Sequence, residues 1–166
     1  MVDFKRINDL IIAMLKAELI MQGHKDTGAL IDSFEGRIME LPNSIVLEIL
    51  MDKHGVYVND GRRKAKSKKE YVPIQVLIDW VERKGIASGD REVKNAAYAI
   101  RQKIFKEGSP TSNSYSFSKN GRRKGFIDFV IENKFDKIYN ELEEQVFEGY
   151  DDAIATIVKD FNKNNK

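Results

Sequence analysis

Two histidines, two groups of carboxylates and two runs of cations are the residues whose types and spacing suit chemistry. His24 and His54 lack acidic partners at metal-ligand spacing, and the 166 residues contain no cysteine to complete a zinc site. A capping or solvent-facing histidine is the plainer reading of both. Glu141, Glu143 and Glu144, with Asp151-Asp152, are the kind of cluster that two-metal hydrolysis uses. They fall on the polar side of a helical pattern, which predicts a solvated face. Asp151 and Asp152 are the pair to test for a nuclease or hydrolase. No nucleophile elbow is present, and no Gly-rich turn joins a strand to a helix with a following Lys-Ser/Thr. The expectation is a chain that is not an enzyme and uses neither metal nor cofactor.

The cations are unevenly placed. Arg62, Arg63, Lys64, Lys66, Lys68 and Lys69 form one cluster, and Lys119, Arg122, Arg123 and Lys124 another. The remaining 18 cations face 26 acids, so the rest of the chain stands near −8 while the whole stands at +2. This predicts mobile basic arms on a mildly acidic body. Basic residues without interleaved aromatics suit contact with phosphates or an acidic neighbour, not base readout. Three aromatics are candidate subunit-interface anchors: Trp80, the only tryptophan, and Tyr115 and Phe117 in a Ser-rich segment with little else to bury them.

The elements that must position these residues follow from periodicity. Residues 3–22 place Phe4, Ile7, Leu10, Ile11, Met14, Leu15, Ala17, Leu19 and Met21 mostly on one helical face, with Lys5, Lys16 and Glu18 off it, and Gly23 as the stop. Thr27 can cap a short turn. Residues 34–41 and 44–52 read as strands joined at Pro42-Asn43, and 55–59 as a third extended piece entering the same sheet. Pro73 opens a helix that Gly85 closes. Asp90 caps the next, whose buried stripe is Val93, Ala96, Ala97, Ile100 and Ile104, and Gly108-Ser109-Pro110 ends it. Residues 109–124 are too rich in Ser, Asn and Lys for a core and read as a flexible loop or protruding hairpin. From Phe126 a helical stripe runs through Ile127, Val130, Ile131, Phe135, Ile138, Leu142 and Val146. Gly149 is a candidate kink, Ala153, Ile154, Ile157, Val158 and Phe161 continue beyond it, and the NKNNK end should fray. No internal repeat is visible.

The fold class is therefore α+β: a long N-terminal helix packed on a small antiparallel curved sheet, with a helix pair and a helical C-terminal element. The whole reads as one domain over 1–166, with a basic loop at 60–72, a polar loop at 109–124 and a helical segment at 125–163. The apolar runs are too short to span a membrane, and the first residues lack the apolar core of an export signal.

Four ordered pieces carry a resemblance. They are Lys25-Asp26-Thr27-Gly28-Ala29-Leu30 with Ser33-Phe34; Tyr57 to Arg62; Pro73-Ile74 through Trp80-Val81 to Lys84-Gly85-Ile86; and Ala97-Tyr98-Ala99-Ile100 through Lys103-Ile104 to Glu107-Gly108. Together they cover residues 25–110, about half the chain. In order and spacing this series resembles the neck and tail-completion proteins, or head–tail connectors, of tailed bacteriophages. The resemblance implies a small α+β protomer that assembles into a sixfold or twelvefold ring between portal and tail. Its partners would be copies of itself, the portal, adaptor and tail proteins, and nonspecifically the double-stranded DNA in the lumen. It also implies residence in the virion neck after synthesis in the host cytoplasm, and brings no catalytic residue. The alternative is a nucleic-acid-binding accessory protein that acts through the two basic clusters.

Overall fold

Glycines with positive φ, Gly23, Gly61, Gly85 and Gly108, stand just beyond the C-terminal ends of four helices, where a left-handed residue lets the chain leave the helix. The computed structural model describes residues 2–164. Its elements are α1 (Phe4–Met21), α2 (Ala29–Asp32), β1 (Glu35–Leu41), β2 (Ser44–Leu50), α3 (His54–Asp60), α4 (Ile74–Arg83), α5 (Asp90–Glu107) and α6 (Phe126–Asn164), with 3-10 turns at Lys68–Glu70 and Ser112–Phe117. The architecture is α+β, with helices at both ends of the chain and a two-stranded antiparallel sheet. The residues gather into two compact units. The first holds residues up to Ile20, Lys25–Asp52 and the chain from Phe126 onward; the second holds Met21–His24 and Lys53–Gly125.

In the first unit, α1 buries Ile7, Met14, Leu15 and Leu19, and α6 buries Phe126, Val130 and Ile138. Phe34 meets Phe126 edge to face, ring centroids 6.4 Å apart. Asn8 is buried against β1, where a Cβ on Gly36 would sit 2.1 Å from its Nδ2. Only glycine permits that approach. The helix face differs from the expected one in a polar residue. Glu18, placed off the apolar stripe by its charge, is 2% exposed and lies 3.6 Å from Lys134 on α6. Its position is four residues from Met14 and seven from Ile11, so spacing puts it inward, and a distant lysine makes the burial tolerable. Ala17 and Met21 are exposed.

The hairpin pairs Leu41 with Ser44 across Pro42-Asn43 and Glu35 with Leu50 at its far end. Neither turn residue has positive φ, because proline fixes φ near −65° and excludes the left-handed I′ turn. The third strand expected at residues 55–59 is instead α3. The alternating Val56 and Val58 imitate a strand. Gly55 and Asn59, four apart, are the buried positions, which is a helical spacing, and Gly61 ends the helix with its N–H on the Tyr57 carbonyl. Tertiary context overrides β-branched propensity here.

In the second unit, α4 and α5 pack through Leu77, Val81, Val93 and Ala97, joined by Ile78, Trp80, Ala96, Ile100 and Ile104. Pro73 precedes the first helical residue instead of being it. At the other end Gly85 N–H bonds Glu82 O and Ile86 N–H bonds Val81 O. This reciprocal pair is the Schellman geometry that stops a helix at a left-handed glycine. Asp90 is not the cap of α5. Gly89 occupies that place, and Asp90 lies in the first turn, where its charge still favours the helix dipole. Thr27 accepts the Ala29 N–H at 3.3 Å, but the α2 cap residue is Gly28.

α6 runs unbroken through Gly149, and several residues of its expected buried stripe face solvent. Ile131, Phe135 and Val146 are exposed, while Phe126, Val130, Ile138 and Gln145 are the buried face. Periodicity identified the helix but not which of its two apolar faces turns inward. Phe161 and the frayed end predicted for 162–166 fall largely outside the described side chains.

Candidate functional site

The basic cluster is anchored at its root. Gly61 (φ 77°) lets the chain turn onto the end of α5, where Arg62 and Ser109 exchange backbone hydrogen bonds of 2.6 and 2.7 Å. Ala65 N–H reaches Phe105 O, and the Arg62 guanidinium donates to the carbonyl of Glu70. Tyr71 then closes the loop. Its ring lies 4.5 Å from Phe105 and beneath the Arg101 guanidinium at 4.2 Å. The expected mobile arm is thus a clasped loop. Arg62, Arg63, Lys64, Lys66, Lys68 and Lys69 are nevertheless all exposed. Side chains held outward on a fixed backbone offer a positive surface at little ordering cost.

The second cluster is divided by the fold. Arg122 and Lys124 are exposed, whereas Arg123 is half-buried and donates to Gln22 O at 2.6 Å. Burial holds its guanidinium below the usual arginine range. Arg123 therefore serves the fold and not a phosphate. Its own carbonyl bonds His24 Nε2 at 3.0 Å. Burial first, and the Arg123 charge second, bring His24 down to about 4, so the ring is neutral at ordinary pH. The polar segment is likewise tied down. Thr111 and Ser114 form a reciprocal capping box, Ser112 N–H donates to Glu107, and Lys119 N–H donates to Met21 O. The Ser112 N–H holds the Glu107 carboxyl below its usual range.

Among the described residues of the second unit, clefts open at two places. One, about 310 Å³, is lined by His24, His54, Tyr57, Arg62 and Arg123 among others, and has no carboxylate in its wall. His24 spends its Nε2 on the Arg123 carbonyl, a backbone contact and not the carboxylate that orients a catalytic histidine. The other, about 590 Å³, lies between Trp80, Ile86 and Ile100 on one side and the 112–117 turn on the other. Here Trp80 and Phe117 meet edge to face at 6.5 Å, so two of the three aromatics singled out in the sequence form one groove. Trp80 is half-buried and Phe117 is 52% exposed. Tyr115 is exposed outside that wall. Asp151 and Asp152 are exposed on α6, and no group of three or more His, Asp or Glu side chains among the described residues has metal-binding geometry. No described helix is long and apolar enough to cross a membrane.

What sequence reading missed is the exposed side of α6. Phe135, Tyr139, Phe147, Tyr150 and Ile157 each expose more than half their surface. The arrangement suits adhesion: a clasped positive loop, an aromatic groove and an apolar helix face. The chain matches no family model, no curated protein and no solved structure.

Proposed function

We propose that this chain is a structural virion protein, a ring-forming neck or tail-completion component that joins portal to tail around the DNA path. The observation that carries the reading is the ordered series of motifs from Lys25 to Gly108. The fold gives that series a physical sense. Gly61, in its second piece, and Gly108, ending its fourth, immediately precede the two residues of one backbone bridge, Arg62 and Ser109. A Cβ at Gly108 would lie 2.2 Å from Arg62 O. The motif glycines thus clasp a loop to a helix pair, the kind of rigid presentation that a subunit interface requires. A head-to-tail ring needs complementary surfaces and arms, not a catalytic pocket.

The decisive experiment removes the gene from the phage genome that carries it. DNA-filled heads and separate tails that fail to join are expected; intact infectious virions would overturn the proposal.

One observation favours the second reading, in which DNA binding is the chief role. The six cations of residues 62–69 are all exposed. If that reading holds, affinity for duplex DNA falls with salt by about 0.9 log units per phosphate contacted. Replacing Lys64, Lys66, Lys68 and Lys69 with Ser would abolish it. Absence of binding at low salt would dismiss it.

A further inference from the structure

The exposed side of α6 carries a repeat that is invisible as residue identity but plain as residue class. Ile131, Phe135 and Tyr139 recur eleven residues on as Leu142, Val146 and Tyr150. Eleven further on stand Ala153, Ile157 and Phe161, so each triplet runs aliphatic or small, apolar, aromatic. Spacings of four, four and three put three helical turns in each repeat, which keeps the stripe on one side of a nearly straight helix. A face sustained in this way is a seam for another helix.

A second observation is independent of the pattern. Every position from Tyr150 to Asp160 is exposed, so none of that stretch is buried within the protomer, and outside α6 only Val2 shares a pocket wall with its first residues, Tyr150 and Ala153. It contains Ile154, Thr156, Ile157 and Val158, β-branched residues of modest helix propensity, and it follows Gly149. Helices owe most of their stability to a buried face, and from Val146 to Asp160 α6 has no buried residue.

We propose that α6 pairs with α6 of a second copy of this chain through the eleven-residue stripe. A self-partner is indicated because the seam calls for a helix of matching period, and among the described helices α6 carries it. α1 and α5, at 18 residues each, already spend their stripes on their own units. The area is of the right order. Ile131, Phe135, Tyr139, Val146, Tyr150 and Ile157 are 42–68% exposed, and at roughly 200 Å² a residue they offer about 700 Å² on each helix, close to the share of about 800 Å² that one partner gives to a standard interface. Charge permits it as well. No cation interrupts the six carboxylates from Glu141 to Asp152, and by their spacing only Glu143 borders the stripe. The flanks of two paired helices then repel, so salt strengthens the pairing. The proposal does not rest on the neck reading, since this surface lies outside the motifs that support it.

The test is sedimentation equilibrium of the full chain at about 100 µM in low and high salt. A mass at least double the 19.1 kDa chain, increasing in share with salt, is expected. The Tyr150→Glu, Ile157→Glu double variant should fall to the single-chain mass with unchanged circular dichroism, while Asp151→Ser, Asp152→Ser should associate at least as well as the parent. If the glutamates unfold the helix, Tyr150→Ala with Ile157→Ala, which favours helix, should weaken association at least about tenfold. A parent chain of single mass in both salts, or alanine variants that associate unchanged, would overturn the pairing. A dimer that never forms a ring would leave the pairing standing and count against the neck reading.

Discussion

Gly108 and Gly85 both hold left-handed backbone, at φ 87° and 61°, yet they differ in what surrounds them. Gly85 has open space where a Cβ would go, whereas at Gly108 it would meet Arg62 O and the Lys64 N. Gly85→Ala should therefore cost about 1 kcal/mol, the ordinary left-handed penalty. Gly108→Ala should cost at least about 2–3 kcal/mol, because backbone cannot yield as a side chain does. Denaturant midpoints of the two variants give the comparison, and equal losses would refute the clasp. His24 supplies a pH prediction. Its folded state prefers the neutral ring, with the value down at about 4 against an ordinary 6.5. The unfolded chain then binds the extra proton between those values, so stability is complete above about 6.5 and is lost as pH falls towards 4. The loss should be roughly 1–2 kcal/mol after allowing for the solvent at the ring's edge. His24→Gln should flatten that slope in thermal melts recorded from pH 7 to 4.

Between elements, α1 and α6 share a largely buried ion pair whose far partner no local pattern announces. Glu18 is held by Lys134 at 3.6 Å, and nearby Arg6 meets Glu141 at 2.7 Å on a more exposed edge. Lys134→Met should destabilise by about 2–4 kcal/mol, because it strips a partner from a buried carboxylate. Adding Glu18→Gln should recover part of that loss. A cycle in which the two effects simply add would show that the pair is uncoupled. Much of this scale was legible in the chain. Gly23, Gly85 and Gly108 marked helix ends, Pro42-Asn43 marked the hairpin, and Val93, Ala97 and Ile100 marked the inner side of α5. What was not legible has a common cause. Glu18, α3 and the inward side of α6 are each decided by residues far away in sequence, and periodicity reports that a face exists without saying what covers it. The candidate site was legible in part for the same reason. Composition found the cations and Trp80 and Phe117, but not that Arg123 is used internally, nor that the Ser-rich segment is bound to Met21 and Gln22.

For the molecule as a whole, the features described share one character. The exposed cations stand on a clasped loop, Trp80 and Phe117 line an open groove, and α6 displays an apolar side along about 39 Å, from 26 steps of 1.5 Å between Ile131 and Ile157. Surfaces of this kind are matched to other macromolecules. Native mass spectrometry with electron microscopy of the purified full-length chain, alone and mixed with portal and tail proteins, tests the claim most directly. Closed rings of this chain, formed alone or on the portal, are the expected outcome. A species that remains a monomer at every concentration and binds neither partner would contradict it.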